Sequence, residues 1–211
     1  MNKKALTAIV GITLVVIVGI VLVMSKRNAT PKQEVDNTVV DLPINTLPLN
    51  QRPFITLAPD SSGRSLDISV SGAPSEGEME YEMVYNASGK QEGALGSIFL
   101  KSETQPIKKS ILLGSKSGGG KITYHEGVTG GSITLTYADT RLKESWNYLK
   151  FDPEDPSFSA TDGRFHVNLT KSSLKKETVA IIMKTFGYLK TGLPDGVKVV
   201  SGPYSFFSQT P

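Results

Sequence analysis

The sequence predicts a mainly β protein carried on an N-terminal transmembrane helix, and three observations predict it. Twenty residues from Ala5 to Met24 carry no charge. Beyond Pro53, apolar and polar residues alternate in four runs: Leu66 to Val70, Met79 to Met83, Ile133 to Tyr137 and Phe165 to Leu169. A period of two is that of half-buried antiparallel strands. Turn signals separate the runs, at Asp60 to Gly63, Asn86 to Gly89, Gly118 to Gly120, Gly127 with Gly130 and Gly131, Asp162 with Gly163, and Asp195 with Gly196. Many short strands joined by such turns make a sandwich or a barrel.

The first four residues, with Lys3 and Lys4, read as a cytoplasmic start. Residues 5–24 would form a helix of about 30 Å at about 1.5 Å per residue, the thickness of a bilayer's hydrocarbon core. Thirteen of the twenty are Leu, Ile or Val. The run is longer than the apolar core of a cleaved signal peptide, and no small-residue cleavage site follows at Val23 to Arg27, so it reads as a retained signal anchor. Lys3 and Lys4 favour an inside N-terminus and an outside C-terminus, while Lys26 and Arg27 pull the other way. Residues 25–52 read as a spacer, polar and punctuated by Pro31, Pro43 and Pro48, whose extended form lengthens by about 3.1 Å per residue. The apolar residues Val39, Val40, Leu42, Ile44, Leu47 and Leu49 give that stretch a second reading, as an edge strand laid along the domain.

Residues 53–211 read as one extracytoplasmic domain. Further strands are expected at Phe54 to Leu57, Ser97 to Leu100, Lys109 to Leu113, Lys121 to Tyr124, Asn147 to Phe151, Thr178 to Phe186 and Val197 to Val200. Arg141 to Phe151 fits a helix as well as a strand, with Leu142, Trp146 and Leu149 at helical spacing, and is assigned partly to strand. Ser173 to Glu177 is expected to make one helical turn before a buried strand at Val179 to Met183. Leu174, Thr178 four residues on, and an inward-alternating strand resemble the penultimate corner of immunoglobulin-like and fibronectin type III domains. Ala180 stands where those domains usually carry an aromatic residue. The resemblance implies an antiparallel immunoglobulin-like β-sandwich. The ending from Phe186 through Ser201 to Phe207, with the anchor and spacer, also resembles uncharacterised single-pass surface proteins of small-genome uncultured bacteria. That likeness implies location and architecture, and no activity.

Cysteine is absent, which removes disulfides, thiolate zinc sites, Cys nucleophiles and a lipoprotein anchor. Residues 33–211 hold 18 of the 23 basic residues and all 20 acidic ones, a net charge of −2. No basic stripe supports nucleic-acid binding. The stretch Gly114 to Ile122 invites a phosphate-loop reading, but Gly114 is one residue too early and Ile122 stands where Ser or Thr must reach a metal ion. A hairpin loop fits better. The two histidines, His125 and His166, sit at a strand end and on a polar strand face, and no nucleophile-elbow motif accompanies them. Asp152, Glu154, Asp155 and Asp162 read as a solvated acidic loop; Pro153 and Pro156 interrupt it and the calcium-loop pattern is missing. Asn28, Asn86 and Asn168 are formal glycosylation acceptors.

Trp146 and Tyr148 are the candidate ligand-binding residues, because flat aromatic rings stack on sugars and anchor interfaces. On a strand they share one face and Phe151 takes the other, so core packing competes with that role. The reading is a non-catalytic binding or structural module of the cell envelope. It would hold the lipid bilayer through residues 5–24 and an envelope glycan or surface protein through its domain, with no catalytic residue, metal or cofactor. An accessory subunit docking through its sandwich edge or anchor helix is the first alternative, and an envelope hydrolase the second.

Overall fold

The computed structural model describes residues 42–170, 174–189, 191 and 202–209. The anchor at 5–24, the spacer up to Asp41, the strand expected at Val197 to Val200, the turn at Asp195 and the acceptor Asn28 lie outside the described residues. Among the described residues no helix is long and apolar enough to cross a membrane. Leu42 to Pro211 forms one compact unit.

The described residues of this unit form thirteen strands: β1 (Phe54–Pro59), β2 (Ser65–Ser71), β3 (Glu78–Ala87), β4 (Lys90–Phe99), β5 (Ile107–Leu112), β6 (Gly114–Lys116), β7 (Ile122–Tyr124), β8 (Val128–Tyr137), β9 (Thr140–Lys150), β10 (Ser157–Ser159), β11 (His166–Asn168), β12 (Val179–Lys184) and β13 (Tyr204–Ser208). All strand pairs are antiparallel. One sheet has the order β1-β2-β5 and the other β13-β12-β9-β8-β3-β4; β6-β7 and β10-β11 are separate hairpins. The two larger sheets make a β-sandwich. Their inward residues form one core, with Ile55, Leu57, Leu66, Ile68, Val70 and Ile107 from the smaller sheet against Met79, Met83, Ile133, Leu135, Trp146 and Ile181 from the larger.

A second, smaller core lies on the opposite side of β12. Ala180 and Ile182 pack there with Phe151, Phe158 and Ala160, flanked by Phe165, Val167, Tyr204 and Phe206. The β10-β11 hairpin brings Phe158 and Val167 opposite each other. Strand β12 is thus buried on both faces, which explains why Val179 to Met183 is an unbroken apolar run.

The segment read as ambiguous, Arg141 to Phe151, lies within β9 except for its last residue, and burial alternates along it from Leu142 to Trp146. Leu142 and Trp146 enter the main core while Phe151 enters the second. In the described residues 174–178 no helical turn forms: Thr178 N–H bonds Lys175 C=O at 3.1 Å in an isolated turn. Residues 42–52 cluster with the unit that runs to Pro211. Strand β12 pairs only with Trp146 to Lys150 of β9, which leaves the first half of that edge open. Ile44 bridges Arg141 there. The Asn45 side chain completes the contact, donating to Lys143 C=O at 2.8 Å and accepting from Lys143 N–H at 3.0 Å. Arg52 holds the segment's shape by donating to the carbonyls of Leu47 and Asn45, each at 2.7 Å. No strand forms in residues 42–52: the Ile44 bridge is isolated, and Leu49–Gln51 makes a single 3-10 turn.

Candidate functional site

A cleft of about 360 Å³ opens where the β1-β2 turn, the β7-β8 turn and the end of β9 meet. The β1-β2 turn is shaped by Asp60. Its carboxylate accepts from Ser62 Oγ at 2.8 Å, Arg64 N–H at 2.9 Å and Ser65 N–H at 3.1 Å. Burial alone would raise the Asp60 pKa, but these hydrogen bonds outweigh it and hold the carboxyl below its ordinary value. Gly63 follows with φ +69°, and a Cβ there would sit 2.9 Å from Val179 Cγ2 and 3.2 Å from the Tyr148 hydroxyl. Only glycine combines that backbone conformation with that proximity.

Tyr148 forms one wall. It is half-buried, and its hydroxyl donates to Gly63 C=O at 2.8 Å. Burial, helped by the charges of Asp60 and Glu126, pushes its pKa up, so the phenol remains a donor at neutral pH. Gln209 ties the opposite wall, accepting from Val179 N–H at 2.7 Å and donating to Ser61 C=O at 3.0 Å. The rim carries both signs of charge: Lys150 pairs with Glu177 at 3.0 Å, and Arg64 lies over the ring of Tyr124 at 4.4 Å. Tyr124 remains 36% exposed. Such a surface can hydrogen-bond and stack with a polar ligand.

His125 sits at the back of the cleft. Its Nδ1 lies 2.9 Å from the Tyr85 hydroxyl, its Nε2 lies 3.1 Å from Ser115 Oγ, and Glu92 Oε2 is 3.8 Å from the same Nε2. Serine, histidine and a carboxylate therefore converge, which is the arrangement a hydrolase would need. Their order differs from a nucleophilic relay, in which the serine and the orienting carboxylate occupy opposite ring nitrogens. Here both face Nε2. Burial and Glu92 raise the Tyr85 pKa, against a backbone hydrogen bond from Gly114, so Tyr85 keeps its proton and can donate it to Nδ1. Both hydroxyls, of Tyr85 and of Ser115, can donate or accept, so either neutral tautomer of His125 satisfies the two contacts.

The structure corrects the role read for Trp146. It is 1% exposed and packs in the main core, 6.5 Å from the Tyr85 ring, so its faces are covered by protein and no ligand can stack on them. Its indole N–H is buried without a hydrogen-bond partner. Tyr148 does line the cleft. Arg64, Tyr124 and the Tyr85-His125-Ser115 cluster had no signal beyond turn residues and a His at a strand end, since residues from four separate strands and turns assemble them.

The remaining motifs take structural places. Gly114 to Tyr124 forms the β6-β7 hairpin, closed by Ser117 N–H to Lys121 C=O at 2.9 Å; a strand follows the glycines where a phosphate loop needs a helix. The acidic side chains disperse: Asp152 accepts from Glu154 N–H and pairs with Lys176 at 3.3 Å, while Asp162 accepts from Tyr204 at 2.6 Å. Among the described residues no group of three His, Asp or Glu converges on a metal position. His166 is exposed and pairs with Ser159 Oγ at 2.7 Å.

No family model, curated protein or solved structure matches this chain.

Proposed function

We propose that this chain is a single-pass membrane protein whose residues 5–24 hold the bilayer and whose domain lies outside the cytoplasm. There it acts as a non-catalytic binding or structural module of the cell envelope. The observation that carries the binding reading is the cleft between Arg64, Tyr124 and Tyr148, which is polar, charged in both senses and rimmed by an accessible aromatic ring. Its partner by chemistry is a hydroxyl-rich envelope glycan or the polar surface of another exported protein.

An immunoglobulin-like assignment finds support in strand order. Reading β1, β2 and β5 as strands A, B and E, and β4, β3, β8 and β9 as C′, C, F and G, gives each sheet the neighbours that such sandwiches have. Strands β12 and β13 are then additions beyond G. Leu174 and Thr178, which suggested the likeness, precede β12 rather than the F-equivalent β8, so strand order supports the reading and that corner does not. The resemblance to surface proteins of small-genome bacteria is retained for location and architecture only.

The test is a calorimetric titration of the full chain in lipid nanodiscs with envelope polysaccharides, beside Tyr124→Ala and Arg64→Ala variants. Saturable binding that weakens about tenfold in either variant supports the cleft, since an aromatic contact is worth about 0.5–1.5 kcal/mol and a desolvated cation–π contact up to about 2 kcal/mol, against about 1.4 kcal/mol for a tenfold change. Equal affinity in both variants would place any glycan contact elsewhere. Release of new reducing ends would instead favour the hydrolase.

A further inference from the structure

Strand β4 ends the larger sheet, and among the described residues no strand pairs with its outer edge. It is ten residues long and pairs with β3 in unbroken register from Glu78 opposite Phe99 to Ala87 opposite Lys90. Soluble proteins blunt such edges with proline, central charges, bulges or short length. From Gly93 to Phe99 this strand has none of these. Its outward face instead exposes Leu95 at 78% and Phe99 at 65%, the two most exposed large apolar residues among those described. The adjoining strand adds a row of exposed glutamates: Glu82 opposite Leu95, Glu80 opposite Ser97 and Glu78 opposite Phe99. Among the described residues no ion pair neutralises them.

We infer that the β4 edge binds an extended segment of a partner protein by strand addition, and that this segment carries a basic residue between two apolar ones at alternate positions. Main-chain hydrogen bonds to the open edge supply affinity, and alternate side chains supply specificity. The apolar pair lies opposite Leu95 and Phe99. The Lys or Arg between them lies opposite Ser97, whose small side chain leaves a path to Glu80 on the next strand, within the reach that long side chains have across a sheet. A second copy of the chain fits less well, because antiparallel pairing of two β4 strands about Ser97 would set Ser97 rather than a cation opposite Ser97 and leave both glutamate rows without a counter-charge. The inference rests on the non-catalytic binding reading but uses a surface formed by different residues from the cleft, so loss of glycan binding and loss of peptide binding are separable results.

The experiment titrates the full chain in nanodiscs with two synthetic peptides, Thr-Val-Thr-Lys-Thr-Val-Thr and its counterpart with Glu at the centre, following the amide resonances of residues 93–99. The expected result is saturable shifts on β4, with the Lys peptide bound about threefold or more tighter, the scale of an exposed charge contact. Leu95→Lys should weaken it about tenfold, and Glu80→Lys should reverse the preference between peptides. Leu95 and Glu80 are exposed, so neither change threatens folding. Absence of saturable shifts, or equal affinity for both peptides, overturns the inference. So does rapid disulfide formation between two Ser97→Cys chains that neither peptide suppresses, because the occupant is then a second copy; the chain has no other cysteine to confuse that readout.

Discussion

Replacing Gly63 with alanine tests whether the cleft is built on a glycine by necessity. Two costs apply. At φ +69° an alanine is strained by about 1–2 kcal/mol, partly offset by the lower entropy of its unfolded chain, for a net near 1 kcal/mol. The added Cβ would also meet Val179 Cγ2 at 2.9 Å, Gln209 Nε2 at 3.1 Å and the Tyr148 hydroxyl at 3.2 Å, and overfilling a packed site by one methyl costs about 1–3 kcal/mol more. Gly163 is the matched control: its φ is +66° and nothing lies within 4 Å of its Cβ position. Gly163→Ala should therefore cost about 1 kcal/mol and Gly63→Ala about 3 kcal/mol. For a domain of this size the melting temperature falls by about 2–4 °C per kcal/mol, giving drops of about 2–4 °C and about 6–12 °C. The sole tryptophan is buried at 1% and reports core unfolding by its emission. Equal drops in the two variants would refute the packing part of the reasoning and leave only backbone conformation.

Three further predictions concern groups away from the cleft. Burial raises the Glu144 pKa above its ordinary 4.5, against Lys184 and Arg52, which pull it down. The folded state therefore holds this proton more tightly than the unfolded state, so the stabilisation is fully present below about pH 4.5 and fades as pH rises through the folded pKa. Urea midpoints of the wild type minus those of Glu144→Gln should thus decline from pH 4 to pH 7, and a constant difference would refute the linkage. Burial, then the hydrogen bond to Asp162, raise the Tyr204 pKa to about 12; Asp162→Asn should bring that phenol part of the way back to 10, read by ultraviolet absorbance titration. Phe158 is wedged between Phe151 and Phe206, with ring centroids at 6.3 and 6.2 Å. Phe158→Ala should cost about 3–5 kcal/mol and accelerate amide exchange in β10 and β11 while β8 amides stay protected; uniform acceleration would mean that the two cores unfold as one.

Period-two alternation was enough to locate the strands that have one wet face. Leu66 to Val70 and Met79 to Met83 lie within β2 and β3 because each sends every second side chain into the main core. Three kinds of segment escaped. The part of β4 before Ser97 contains Gly93 and Gly96, and Gly96 shows no alternation because the Tyr81 hydroxyl occupies the space its Cβ would need. Strands β6 and β10 are three residues long, too short for any period to register. Strand β13 reads as a mixed aromatic tail because Phe206 packs on the second core while Ser205 is buried against the main sheet. The cleft was less legible than the fold for a related reason. Alternation identified the shared face of Trp146 and Tyr148, but not that Tyr148 stands at the strand's end beside a turn while Trp146 stands over the middle of the core.

The same sheet also explains why its two ends differ. At a spacing of about 4.8 Å, six strands span about 24 Å and three span about 10 Å, so the smaller sheet with its loops covers one face of the larger and nothing of the other. On that other face the protein uses two solutions. Near β12 the residues are apolar, and the β10-β11 hairpin is folded back to cover them. Near β3 the residues are glutamates, which need no cover. Had the sheet stopped at β3, a charged row would have guarded its edge; β4 adds one more strand whose central residues lack charge and whose outward Leu95 and Phe99 are bare. Stability does not account for that arrangement, because exposed Leu and Phe gain little from burial they do not have. A partner strand would give them that burial, which is why the measurement on β4 bears on function and the measurements on the second core bear on folding.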